Sequence, residues 1–214
     1  MLLNMLMMIS LAVSFGWAEA PEGRWDGTIT SGSLNIPFII HFESNGKTLT
    51  GSFMNGDTRA SSTEGSFEAG VVHLTFGATG ARLEATLEDG QLKGTIGSGG
   101  QMHPFTASKY CSCNVEGDAG PDLSGTWDVP DSSLRLTIRR KGDDTLATVS
   151  HQSGELGPLT GRFDGLIFVL HYFDGVRAAV LEIEQRKDGG LDLKFAEPGT
   201  GTKKYRAVQA ATRK

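Results

Sequence analysis

The sequence predicts an all-β protein made of two tandem similar domains. Each is an antiparallel meander of about eight strands forming a small up-and-down barrel or sandwich, after an N-terminal signal helix. Three observations carry this prediction. The chain opens two long stretches in the same way, with Gly23-Arg24-Trp25-Asp26 and Gly125-Thr126-Trp127-Asp128. Glycine makes up 29 of 214 residues, about twice the usual share, without the triplet of collagen. Short segments such as Leu134 to Arg139, Arg82 to Leu87 and Leu191 to Phe195 alternate apolar and polar residues, the two-residue period of a strand with one buried face.

Residues 1–20 read as a signal peptide, with an apolar stretch ending in the small-x-small pattern Ala18-Glu19-Ala20. The apolar part is at or below the roughly 17 residues needed to span a bilayer. The mature chain is therefore expected in the periplasm or outside the cell, with no membrane span once the leader is cleaved.

Residues 21–110 form the first domain. Its turns are marked by Ser44-Asn45-Gly46, Asn55-Gly56-Asp57 and Asp89-Gly90, where Asn-Gly and Asp-Gly supply the positive φ angles of tight hairpins. Residues 111–122 are a linker carrying Cys111-Ser112-Cys113. Residues 123–214 form the second domain, with turn signals at Lys141-Gly142-Asp143 and Lys187-Asp188-Gly189. The repeat aligns Gly65-Ser66-Phe67 with Gly161-Arg162-Phe163. With one residue dropped at the next turn, Val71 to Glu84 then runs in step with Leu166 to Ala179. A second match, Leu49 to Phe53 on Leu159 to Phe163, competes with it.

Charge argues against nucleic acid as a partner. The first domain holds 6 basic and 9 acidic residues and the second 14 and 12, so neither offers the dominant basic field that phosphate binding requires. The basic run Arg139-Arg140-Lys141 is expected at a turn and on a solvated strand face, as is Lys203-Lys204.

Few residues carry chemistry. Cys111 and Cys113 suit a disulfide in an exported protein. Two residues apart on an extended strand, they reach only near the limit for bridging, so a bond between them is strained and easily reduced. Lys109 is placed to lower a thiol pKa. A metal site built on this pair with His103 lacks an advertised fourth ligand. The alignment sets His171 opposite Phe76, a position that, if inward, puts an imidazole inside the second barrel as a pocket residue. No Ser-His-Asp set, glycosidase carboxylate pair or phosphate loop stands at recognisable spacing, and no cofactor is implied. The run Leu166 to Phe173 is apolar on both faces, so something must cover its outer side: the first domain, another subunit or a further domain.

The Gly-x-Trp opening and the meander are similar at the fold level to lipocalin and avidin barrels. That similarity implies that each tryptophan plugs a barrel end against a late-strand arginine, pairing Trp25 with Arg82 and Trp127 with Arg177. The alternative makes both indoles plain core anchors, with the arginines paired to Asp26 and Asp128.

A closer resemblance covers about residues 23–210. The segments IPFIIHFESNG, LTGSF, EGSFEAG, LEATLEDGQLKGTI, HPFTASKY and RFDGLIFVLHYFDGVRAAVLEI resemble the N-terminal double β module of bacterial TlpA-like thiol–disulfide oxidoreductases. In those proteins a thioredoxin domain with Cys-x-x-Cys follows. This sequence holds no such motif, so the redox activity is carried over to no residue. The resemblance implies an exported, non-catalytic module for protein interaction or scaffolding, accessory to such an oxidoreductase, with a thioredoxin-fold protein as its partner. A small-ligand binder using a barrel interior and a redox protein using Cys111 and Cys113 are the other two readings.

Overall fold

The computed structural model describes residues 19–46, 48–110, 119–152 and 154–210, and among them it is all β, with seventeen antiparallel strands in two sheets and no helix. Residues 1–18 of the leader and residues 111–118 of the linker, both cysteines included, lie outside the described residues.

The first sheet comprises β1 (Gly23–Ser31), β2 (Leu34–Ser44), β3 (Leu49–Asn55), β4 (Thr58–Ser61), β5 (Glu64–Glu68), β6 (Val71–Phe76), β7 (Ala81–Glu88), β8 (Gln91–Ser98) and β9 (Gln101–Lys109). Their order across the sheet is β4-β3-β2-β1-β9-β8-β7-β6-β5. The second unit comprises β10 (Gly125–Asp128), β11 (Arg135–Lys141), β12 (Asp144–His151), β13 (Gly154–Phe163), β14 (Phe168–Phe173), β15 (Ala178–Gln185), β16 (Leu191–Glu197) and β17 (Gly201–Gln209). These eight close into a barrel.

One stretch decides why the second unit closes and the first remains a half-barrel. In the second, β13 is a single ten-residue strand that pairs with β12 along its first part and with β14 along its last. In the first, the corresponding stretch is divided at Ser62-Thr63. There β4 pairs only with β3, and β5 pairs only with β6. Isolated bonds stitch the seam: the Ser62 N–H donates to the Gly51 carbonyl at 2.8 Å and the Thr63 N–H to the Thr75 carbonyl at 2.7 Å.

The two units share a strand register around their tryptophans. Trp25 lies opposite Ile40 and Lys109, and Trp127 lies opposite Leu136 and Gln209. Of the two competing registers, the strand pairing selects Gly65 with Gly161, which face Leu74 and Leu170. It also corrects the alignment beyond that point. Phe67 pairs with Val72 and Phe163 with Phe168, so the two turns are equally long and no residue is dropped. The inward equivalent of Phe76 is Tyr172, and His171 points out of the barrel. A slip of one residue moves every side chain to the opposite face of a strand.

The alternating segments bury the faces expected of them. Leu136 and Ile138 of β11, Leu83 and Ala85 of β7, and Leu191 and Leu193 of β16 are buried, while Arg135, Thr137, Arg82 and Glu84 face water. The interiors, however, are not separate. Phe173, Ala178 and Val180 of the second unit belong to the apolar cluster of the first, with Val169 packed against it. Phe168, Leu170, Tyr172, Ala179 and Leu181 of the same two strands belong to the second cluster. The outer face of the doubly apolar run is thus covered by the first unit.

Candidate functional site

In each unit four hairpin turns ring one end of the barrel and define a mouth. In the first unit these are the β1–β2, β3–β4, β6–β7 and β8–β9 turns, and in the second the β10–β11, β12–β13, β14–β15 and β16–β17 turns. The two mouths are equivalent by register, but they are occupied differently.

The first mouth is stoppered by the β14–β15 hairpin of the second unit. The Phe173 ring meets Phe53 edge-on with centroids 4.7 Å apart and tilts against Phe38 at 6.2 Å. Asn55, at the end of β3, fixes the stopper's backbone. Its Nδ2 donates to the Phe173 carbonyl at 2.8 Å, and its Oδ1 accepts from the Phe173 N–H at 2.9 Å. One side-chain amide thereby replaces a neighbouring strand for a buried residue that would otherwise leave two polar groups unpaired. Gly175 at the hairpin tip rests on Thr79 of the β6–β7 turn and on Ala81 at the start of β7. A residual cavity of about 70 Å³ lies between the tip and Ile96 and His103.

The same β3–β4 turn fastens the units from outside. Gly56 has φ +61°, and a Cβ there would collide with Leu146 of β12, so the position demands glycine on both counts. Asp57 accepts from Arg139 at 2.8 Å and from Lys141, and these two hydrogen bonds, Lys141 foremost, hold its carboxyl below the usual range. The basic run is thus not merely a solvated face. Arg139 and Lys141 bind the first unit, and Arg140 donates to the carbonyls of Ala119, Gly120 and Pro121.

The second mouth is open. A cavity of about 370 Å³ enters it, floored by Leu134, Val149, Leu156, Phe195 and Tyr205 and rimmed by His151, Glu155, Arg177, Glu197 and Lys203. Arg177 is steadied by Asp174 at 2.8 Å and by the Tyr172 hydroxyl at 2.9 Å. Burial pushes the Tyr172 hydroxyl up. Burial would also raise Asp174, but the Arg177 and Val176 backbone N–H groups and the Arg177 guanidinium outweigh it and hold the carboxyl low. The volume falls within the roughly 300–1,000 Å³ typical of ligand sites. A wider depression of about 760 Å³ on the outer face of β6–β8 lies along Arg82, Glu84 and Thr95.

His171 lies between the barrels, in a polar patch rather than in a pocket within one. Its Nε2 has no hydrogen-bond partner, and burial lowers its pKa to about 4 against the pull of Asp26 and Asp144, with Arg24 adding to the drop. Around it stand two ion pairs, Arg24 with Asp26 at 2.8 Å and Arg162 with Asp144 at 2.7 Å. Tyr110 links them: the Arg24 guanidinium stacks 4.1 Å over its ring, and Arg162 reaches its hydroxyl at 3.5 Å. Among the described residues no group of three or more His, Cys, Asp or Glu could hold a metal ion.

The predicted tryptophan–arginine pairs do not form. Trp25 and Trp127 are buried core anchors whose indole N–H groups donate to the Glu22 and Leu123 carbonyls at 3.3 and 2.9 Å. Arg82 lies on the outer face of β7, and Arg177 stacks on Tyr172 at 5.5 Å. Nor do these arginines take the two aspartates, which pair instead with Arg24 and Arg135. His41 and His73 face outward, near Glu43 and Glu84. Cys111 and Cys113 lie outside the described residues. The reading from sequence passed over Asn55 and Asp57 as plain turn residues; the Asn-Gly-Asp signal marks a hairpin and says nothing of what the hairpin grips.

No family model matches the chain, and no curated protein is similar to it. Among the described residues no helix is long and apolar enough to cross a membrane.

Proposed function

We propose that this chain is a non-catalytic binding module whose working site is the open mouth of the second barrel. One observation carries the reading: of two equivalent mouths, the chain closes one with its own hairpin and leaves the other open over an apolar floor with a charged rim. The first unit serves as the scaffold that holds β14 and β15 in place. The signal-like leader supports an exported setting. The resemblance to the double module of TlpA-like oxidoreductases supports an accessory role beside such an enzyme, with a thioredoxin-fold protein as the candidate partner.

The test uses a solvatochromic naphthalene dye with the full chain. The expected result is saturable one-site binding with a blue shift. It should be abolished by Val149→Trp, which fills the floor, and by Lys203→Trp, which lids the rim without disturbing the core. Circular dichroism should show both variants folded. A dye that fails to bind, or that binds both folded variants unchanged, overturns the reading.

A further inference from the structure

We infer that the open mouth takes a peptide, the aromatic-bearing tip of a β-hairpin presented by a protein partner. The inference rests on the reading of that mouth as a binding site and adds the chemistry of its occupant. The molecule already contains one such complex, because the first mouth holds Phe173 just ahead of a four-residue turn. The residues around Phe173 there are Phe38, Phe53 and Asn55, with Ile96 and His103 across the small residual cavity.

Strand register carries these five positions onto the second barrel. Trp25 faces Ile40 as Trp127 faces Leu136, so Phe38 corresponds to Leu134. Ile40 faces Phe53 as Leu136 faces Val149, so Phe53 corresponds to Val149 and Asn55 to His151. Trp25 faces Lys109 as Trp127 faces Gln209, which sets His103 on Lys203 and, across the ladder, Ile96 on Phe195. All five equivalents line the open cavity.

Two of the exchanges enlarge the hole. Phenylalanine becomes leucine at 134 and valine at 149 while isoleucine becomes phenylalanine at 195, and the net loss of one ring leaves room for an incoming ring. A third keeps the polar function, since His151 stands where Asn55 reads the backbone of the stopper and imidazole can both donate and accept. The open mouth also adjoins the established contact between the units. The tip Asp174 to Arg177 separates the two mouths, with Gly175 on the first and Arg177 on the second.

The probes are disulfide-cyclised twelve-residue hairpins with one common flank and Phe, Trp, Leu or Gly just before a four-residue turn, together with N-acetyl-phenylalanine amide. Displacement of the dye from the full chain is measured. The Phe and Trp hairpins should displace it at least tenfold more tightly than the Leu and Gly hairpins and than the free amide. His151→Ala should weaken the aromatic hairpins about fivefold more than it weakens the dye, the worth of about one hydrogen bond. If dye binds but the hairpins do not displace it, or all four tips compete equally, the peptide inference fails while the binding site stands. If the free amide binds as tightly as the hairpins, the occupant is a small molecule. An unaltered hairpin affinity in His151→Ala overturns the role given to that side chain. Failure of the dye itself overturns the underlying reading.

Discussion

Asn55 concentrates the contact between the two units into one side chain. Its amide satisfies both backbone groups of Phe173, and leaving a buried donor or acceptor unpaired costs about 1–3 kcal/mol each. Asn55→Ala is therefore expected to lose about 2–4 kcal/mol in urea unfolding, with Asn55→Asp losing a similar amount because a carboxylate cannot donate to the Phe173 carbonyl. His171 gives a pH signature. Buried between Asp26, Arg24 and Asp144, it stays neutral in the folded state down to about pH 4, whereas in the unfolded chain it protonates near 6.5. Between those values the unfolded state binds more protons, so stability is full above about pH 6.5 and falls as pH drops toward 4, by up to about 3 kcal/mol. Unfolding free energies at pH 7 and pH 4.5 should show that loss, and His171→Leu should reduce it. Equal pH dependence in the variant would show that His171 is not its source. Neither role was legible in the sequence. An Asn-Gly turn and a histidine in an apolar run are local features, and both partners lie on strands far away in the chain, Phe173 being 118 residues from Asn55.

At the scale of the element, β14 and β15 form a two-faced wedge. One face completes the second barrel and the other completes the first. Replacing Phe173 by alanine removes a ring from the first core and should cost about 3–5 kcal/mol, more than the usual penalty for a hairpin-end residue. Val176→Ser, at the half-exposed tip, should change stability by less than about 0.5 kcal/mol, and thermal unfolding of the two variants distinguishes a seated wedge from a loose contact. The run of apolar residues announced that both faces would be buried. Its inward face was misassigned, however, because the alignment dropped one residue at the turn after Phe67. Period-two structure punishes such a slip fully, whereas β7 and β16, which adjoin Asp-Gly turns and are read from their own alternation, bury the faces expected of them.

For the whole molecule, the all-β class and the approximate strand count were readable, while closure was not. The difference between a barrel and a half-barrel lies in whether one stretch makes a continuous ladder, and neither turn residues nor alternation in that stretch announces the ladder. The units should therefore differ when separated. Residues 119–210 alone are expected to fold as a closed barrel with an exposed apolar stripe of Val169, Phe173 and Val180. Residues 21–110 alone lack their stopper and should bind the naphthalene dye strongly and aggregate, as sedimentation would show. If the first unit proves monomeric and stable alone, the wedge is an accessory rather than a part of its core. Order of synthesis adds a consequence. The last strand of the N-terminal unit ends at Lys109, and the ribosome must add 64 more residues before Phe173 exists. At about 5–20 residues per second that is several seconds in which the nascent unit gapes, long enough for a holding chaperone to be its first companion.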